Sequence, residues 1–160
     1  MEKSILVIGV GSPYRSDDSV GLSVLKTLRM GPPEQVHLME RSGEGSDIMD
    51  VWKKYQHVFL VDAVQSGKAP GTIHRIFANQ EKVPTDFFHY STHTFGVAEA
   101  AEMARVLGEL PKSLIIYGIE GEQFGIGKDI SKHVQISADK VTGMLLKDIQ
   151  KILTGNPTYA

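Results

Sequence analysis

The chain has 160 residues, 41% hydrophobic and 22% charged, which fits one globular domain and excludes disordered, collagenous and coiled-coil classes. Seventeen Lys and Arg against nineteen Asp and Glu leave a net charge of −2, so neither a nucleic-acid nor a membrane partner is expected. Cysteine is absent, which removes disulfides, thiolate nucleophiles, zinc fingers and iron–sulfur clusters and leaves His, Asp and Glu to bind any metal.

The opening residues Met1 to Gly11 hold too short an apolar run for a signal sequence, and no segment approaches the roughly 20 apolar residues that span a bilayer. A cytoplasmic protein is expected. Ile5 to Ile8 reads as a first strand that passes through Gly9 and Gly11 into a helix with Val20, Val24, Leu25 and Leu28 at helical spacing. Gly31-Pro32-Pro33 stops that helix. Val36 to Met39 reads as a second strand, and Ser46 is placed to cap a helix carrying Ile48, Val51, Trp52 and Tyr55. His57 to Val61 is a third, almost wholly apolar strand of the kind that helices cover on both faces, and Asp62 ends it.

A turn-rich connection, Ser66 to Gly71, leads into a strand over Thr72 to Phe77, after which Asn79 to Ser91 is irregular. Gly96 to Leu107 is an alanine-rich helix, Leu114 to Ile119 the last central strand, and Gly121 to Ser137 mostly loop. A final helix places Val141, Met144, Leu145, Ile149, Ile152 and Leu153 on one apolar face. The order βαβαββαβα predicts a single three-layer α/β domain over 1–153, with a twisted, mostly parallel central sheet of about five strands, helices on both faces and a loose tail over 154–160.

Ligands of open α/β sheets gather beyond the carboxyl ends of the strands. Three places lie on that rim: the loop Ser12 to Asp18, Asp62, and His93 before the alanine-rich helix. Asp17 and Asp18 also fit a helix start capped by Ser16, with two acids favouring the macrodipole. Asp62 at the mouth of an apolar strand fits a site, and equally a carboxylate bound by the following turn. His93 alone fits a capping residue. Two carboxylates and one imidazole together suit a borderline divalent metal with coordination positions left open. His37, His57, His74 and His133 read as structural, His133 in a surface loop, and His89 to His93 lacks the Glu of a zinc-protease helix.

Other motifs fail. Gly9-Val10-Gly11 begins like a dinucleotide-binding turn, with Glu40 where a ribose-binding acid would sit, but Tyr14 stands where the third glycine is required. In Glu122 to Asp129 neither the first P-loop glycine nor the hydroxyl after Lys128 is present, and no Gly-x-Ser-x-Gly elbow exists.

Gly9-Val10-Gly11-Ser12-Pro13-Tyr14-Arg15-Ser16-Asp17-Asp18-Ser19-Val20-Gly21, Val61-Asp62-Ala63 and Ser91-Thr92-His93-Thr94-Phe95-Gly96 together resemble the nickel–iron hydrogenase maturation endopeptidases, over roughly residues 4 to 153. The resemblance implies an α/β protease that removes a C-terminal extension from the hydrogenase large-subunit precursor after nickel insertion. It implies that the catalytic, metal-contacting positions are Asp18, Asp62 and His93. Nickel is then expected to arrive with the precursor, held by that protein's own thiolates, and the protease to act as a monomer. Members of the family usually carry Asn at the place of Ser12, Asp-Gly-Gly near Glu40 to Gly43, and Gly-Ile-Gln-Pro where Gly118-Ile119-Glu120-Gly121 stands. These departures bear on which precursor is recognised, and His89-Tyr90-Ser91-Thr92-His93 with Gly118-Ile119-Glu120-Gly121 looks nearest the branch serving bidirectional hydrogenases. Two other readings stay open: a non-catalytic nickel-sensing assembly factor for the same precursor, and a nucleotide-binding α/β enzyme.

Overall fold

The structure, a computed structural model, describes residues 4–88, 94–127 and 129–155. In chain order it contains β1 (Ile5–Val10), a 3-10 turn (Ser16–Ser19), α1 (Val20–Arg29), β2 (Val36–Arg41), α2 (Gly45–Trp52) and β3 (His57–Val64). Then come β4 (Ile73–Phe77), a second 3-10 turn (Thr85–Phe88), α3 (Val97–Leu107), β5 (Ser113–Glu120) and α4 (Lys132–Leu153). The five strands form one sheet in the order β2-β1-β3-β5-β4, parallel except for the antiparallel edge strand β4. This is the expected α/β sheet with helices on both faces.

Hydrophobic burial on both sides explains why β1, β3 and β5 are nearly continuous apolar runs. Leu6, Ile8, Leu60 and Ile116 point to one core, shared with Trp52 of α2 and the small side chains Ala100, Ala101 and Ala104 of α3. The alternate residues Ile5, Val7, Phe59 and Tyr117 point to the other, against Val24 and Leu25 of α1 and Val141, Leu145 and Ile149 of α4. Each fully buried side chain of this size contributes about 1.5–3 kcal/mol. On the second face a buried polar network ties α4 to the sheet: Arg75 donates to Tyr117 Oη (2.9 Å) and to Asp148 (2.6 Å), and Tyr117 donates to Asp148.

Four local expectations are corrected. β3 does not end at Asp62; it runs two residues further because β5 continues to pair with it as far as Val64 and Glu120. Ser46 is not the cap of α2: Glu44 is, its carboxylate accepting the N–H groups of Ser46 (3.1 Å) and Asp47 (2.9 Å). α4 starts at Lys132 rather than after Ser137, so His133 belongs to the helix instead of a loop. The irregular stretch after β4 includes the turn Thr85–Phe88, which buries Phe88. Residues 156–160 of the expected tail lie outside the described residues. No helix among the described residues is long and apolar enough to cross a membrane.

From β1 the chain moves outward to β2 on one side, then returns to β3 on the other. The carboxyl ends of β1 and β3 therefore flank a topological switch point, the place where open α/β sheets bind ligands. Asp18 follows β1 and Asp62 lies in β3.

Candidate functional site

Pairing between β1 and β3 stops at Gly9 and Val61, whereas β3 and β5 stay paired to Val64 and Glu120. Asp62 is thus the first residue of β3 beyond the reach of β1. The space is filled by the chain turning over the sheet. Gly11 adopts φ 150°, and a Cβ there would lie 2.0 Å from the Asp18 carbonyl oxygen. A Cβ on Gly21 would lie 2.3 Å from the Val61 carbonyl oxygen. These two glycines let the 3-10 turn and the start of α1 lie directly on the backbone of β1 and β3, which brings Asp18 to Asp62.

The Asp18 carboxylate accepts the Ser12 N–H at 3.0 Å, and that of Asp62 accepts the Ala63 N–H at 2.8 Å. Asp62 is only 7% exposed. Burial raises the pKa of Asp62 well above the ordinary value of 3.8, and the neighbouring Asp18 charge raises it further, against the Ala63 hydrogen bond. Burial also raises Asp18 above 3.8, opposed by the Ser12 N–H and the positive charge of Arg15. Two carboxylates share one partly desolvated corner and repel, an arrangement that a cation placed between them would relieve.

Asp17 behaves unlike its neighbour. Its side chain is fully buried, and its carboxylate accepts four hydrogen bonds: the N–H groups of Glu122 (2.7 Å), Gln123 (2.9 Å) and Ser131 (2.7 Å), and the Ser131 hydroxyl (2.8 Å). The helix-dipole reading of Asp17 is therefore replaced: the residue is a clamp between the loop after β1 and the loop before α4. Ser16, read as a cap, lies inside the 3-10 turn, whose N-cap is Arg15, and sits at φ 46°, its carbonyl accepting the Ser19 hydroxyl at 2.7 Å. Such a left-handed serine costs of order 1 kcal/mol and persists because the surrounding bonds over-determine the turn.

Of the three residues expected at the rim, Asp18 and Asp62 come together, and His93 lies outside the described residues. Among the described residues no three His, Asp or Glu side chains form a group able to hold a metal ion. Three other histidines take structural partners: His37 bonds Tyr55 Oη at 2.6 Å, His57 bonds Ser113 Oγ at 2.8 Å, and His74 bonds Glu120 Oε1 at 3.0 Å. Glu120, met in the sequence only as part of a departure from the family pattern, is a buried acid, 1% exposed; it also accepts the N–H and hydroxyl of Ser66, fixing the chain after β3 to the end of β5.

A family model described as hydrogenase maturation protease matches residues 23–148. A hydrogenase 2 maturation protease of Escherichia coli K12 is 28% identical over 153 residues, covering 93% of this chain and 88% of that protein. A putative hydrogenase maturation protease of Methanocaldococcus jannaschii is 22% identical over 160 residues, 94% of this chain and 90% of that one. Among solved structures, the E. coli hydrogenase maturating endopeptidase HybD superposes with a TM-score of 0.75 at 21% identity, covering 92% of this chain and 93% of that one. The solution structure of an E. coli endopeptidase gives a TM-score of 0.76 at 23% identity over 96% and 95% of the two chains. These structural likenesses carry the fold.

Proposed function

Because the chain belongs to the hydrogenase maturation protease family, we propose that it cuts the C-terminal extension from a nickel–iron hydrogenase large-subunit precursor after nickel insertion, through Asp18, Asp62 and His93. The observation that carries this reading is the pair of mutually repelling carboxylates at the β1–β3 switch point. Nickel belongs to the substrate. Soft thiolates of the precursor hold the ion, while the hard carboxylates and the imidazole complete its shell. An ion so placed can polarise the scissile carbonyl or acidify a water. An incomplete ligand set binds metal poorly by itself, so docking depends on the ion already in the precursor, and metal-free precursor is rejected. The sequence patterns His89-Tyr90-Ser91-Thr92-His93 and Gly118-Ile119-Glu120-Gly121 favour a bidirectional-hydrogenase precursor.

The test is cleavage of matched apo and nickel-loaded precursor by metal-stripped protein, scored by loss of the tail. Cleavage of the loaded form alone is expected. Equal cleavage of both overturns the nickel checkpoint, cleavage only after zinc is added to the protease makes it a conventional metalloprotease, and a stable complex without tail loss makes it a nickel-sensing assembly factor.

A further inference from the structure

Two loops border Asp18, one running from β1 to the 3-10 turn and the other from β5 to α4. They are fastened to each other by more than the Asp17 carboxylate. Gly127 N–H donates to Tyr14 O at 2.9 Å, Ser16 N–H donates to Gly127 O at 2.8 Å, and Asp17 N–H donates to Gln123 O at 3.1 Å. Phe124, 7% exposed, anchors the second loop in the core between the sheet and α1 and α4. A rigid pair of loops normally turns polar residues to water. This pair turns out Tyr14, 63% exposed, and Ile126, 90% exposed, the first accepting the Gly127 N–H through its backbone carbonyl and the second preceding Gly127 in the chain. Among the described residues the remaining exposed large hydrophobics, such as Val106 and Leu107 of α3 and Leu146 of α4, lie on helices or at the far end of α1.

We propose that Tyr14 and Ile126 are a docking platform for the folded body of the precursor, a surface distinct from the carboxylates that receive its tail. The proposal rests on the protease reading above. Position identifies the occupant: Tyr14 is two residues from Ser12, whose N–H holds the Asp18 carboxylate, so a protein that delivers a bond to Asp18 must cover these loop tips. Because four hydrogen bonds to Asp17 have already ordered both loops, binding loses little conformational entropy there. Tyrosine is among the residue types enriched at interface hot spots, a large contact area with few rotatable bonds.

The experiment compares the parental protein, the double variant Tyr14→Ser with Ile126→Ser, and Val106→Ser as an exposed apolar control on α3. Cleavage of whole nickel-loaded precursor gives kcat and KM, calorimetry gives Kd, and sedimentation of each protein alone gives its oligomeric state. The double variant should raise KM and Kd at least tenfold with kcat changed less than twofold, and the control should change neither. Parental cleavage with KM unchanged in the double variant overturns the platform and leaves the protease reading standing. Should the parental protein bind precursor without cutting it, the protease reading falls and Kd decides the platform by the same tenfold criterion. Absence of both binding and cutting overturns both. A parental dimer that the double variant dissolves overturns the proposal in favour of a second copy of this chain.

Discussion

Asp17 and Ser131 meet across 114 residues of sequence, the carboxylate taking both the backbone N–H at 2.7 Å and the hydroxyl at 2.8 Å. Ser131 is the N-cap residue of α4, so an acid in the first loop orders the start of the last helix. The adjacent Asp18 inherits its position from this clamp, because the two residues share one 3-10 turn.

Asp17→Asn keeps the size of the side chain and replaces one acceptor oxygen with an amino group facing N–H donors. Hydrogen bonds to a buried charge are worth about 1.5–3 kcal/mol each, and orphaned donors add desolvation. The variant should lose about 3 kcal/mol, read as a lower urea midpoint at unchanged slope. A loss near the 0.3–1 kcal/mol of a helix-dipole contact would remove the clamp from the account.

Asp62→Asn should abolish processing yet stabilise the metal-free protein at neutral pH. The sign follows from the raised pKa of Asp62: folding favours the protonated form, so the contribution of Asp62 is fully present below the unfolded carboxylate value and is lost as pH rises through the higher folded value. Asn stays neutral throughout. The stability gain of the variant should therefore be largest at neutral pH and vanish below about pH 4, as followed by thermal melts across pH.

Asp18→Asn should also stop processing, and it has a spectroscopic signature. Removing the Asp18 charge deletes one of the two causes that raise Asp62, so the Asp62 titration, followed by carboxyl carbon chemical shift, should move to lower pH. An unmoved titration would mean that the two carboxylates do not sense each other.

Gly21→Ala tests the close approach of α1 to the sheet. The added Cβ would stand 2.3 Å from the Val61 carbonyl oxygen and 2.6 Å from that of Val10, and both obstacles are backbone. Overpacking of this kind costs about 1–3 kcal/mol, and any shift of α1 displaces Asp18 as well. The variant should melt lower and process more slowly, whereas Gly31→Ala, with open space around it, should do neither.

The parts of the fold that were legible in sequence are those set by local periodicity. Apolar runs such as Val58 to Val61 and three-four spacing such as Val20, Val24, Leu25 and Leu28 carry their own element type, and the pattern of six apolar residues in α4 fixed its later turns. What escaped was governed by distant partners. β3 passes Asp62 because Gly118 to Glu120 offer it hydrogen bonds. The start of α4 is obscure because Lys132 to Gln135 contain one apolar residue, and the reason a helix begins there is a carboxylate in the first loop. For the site, Asp18 and Asp62 could be placed by the rule that loops converge at strand ends, but the role of Asp17 could not, since all four of its donors are more than a hundred residues away.

The clamp also sets an order on the assembly of the candidate site. A chain emerging from the ribosome completes β1, β3 and β5 by Glu120 and by then owns Asp18, Asp62 and His93. At that length Asp17 has none of its four donors, which come from Glu122, Gln123 and Ser131, and the face of the sheet destined for α4 is bare. Until the loop before the last helix is made, the turn that carries Asp18 therefore lacks the contacts that hold Asp17.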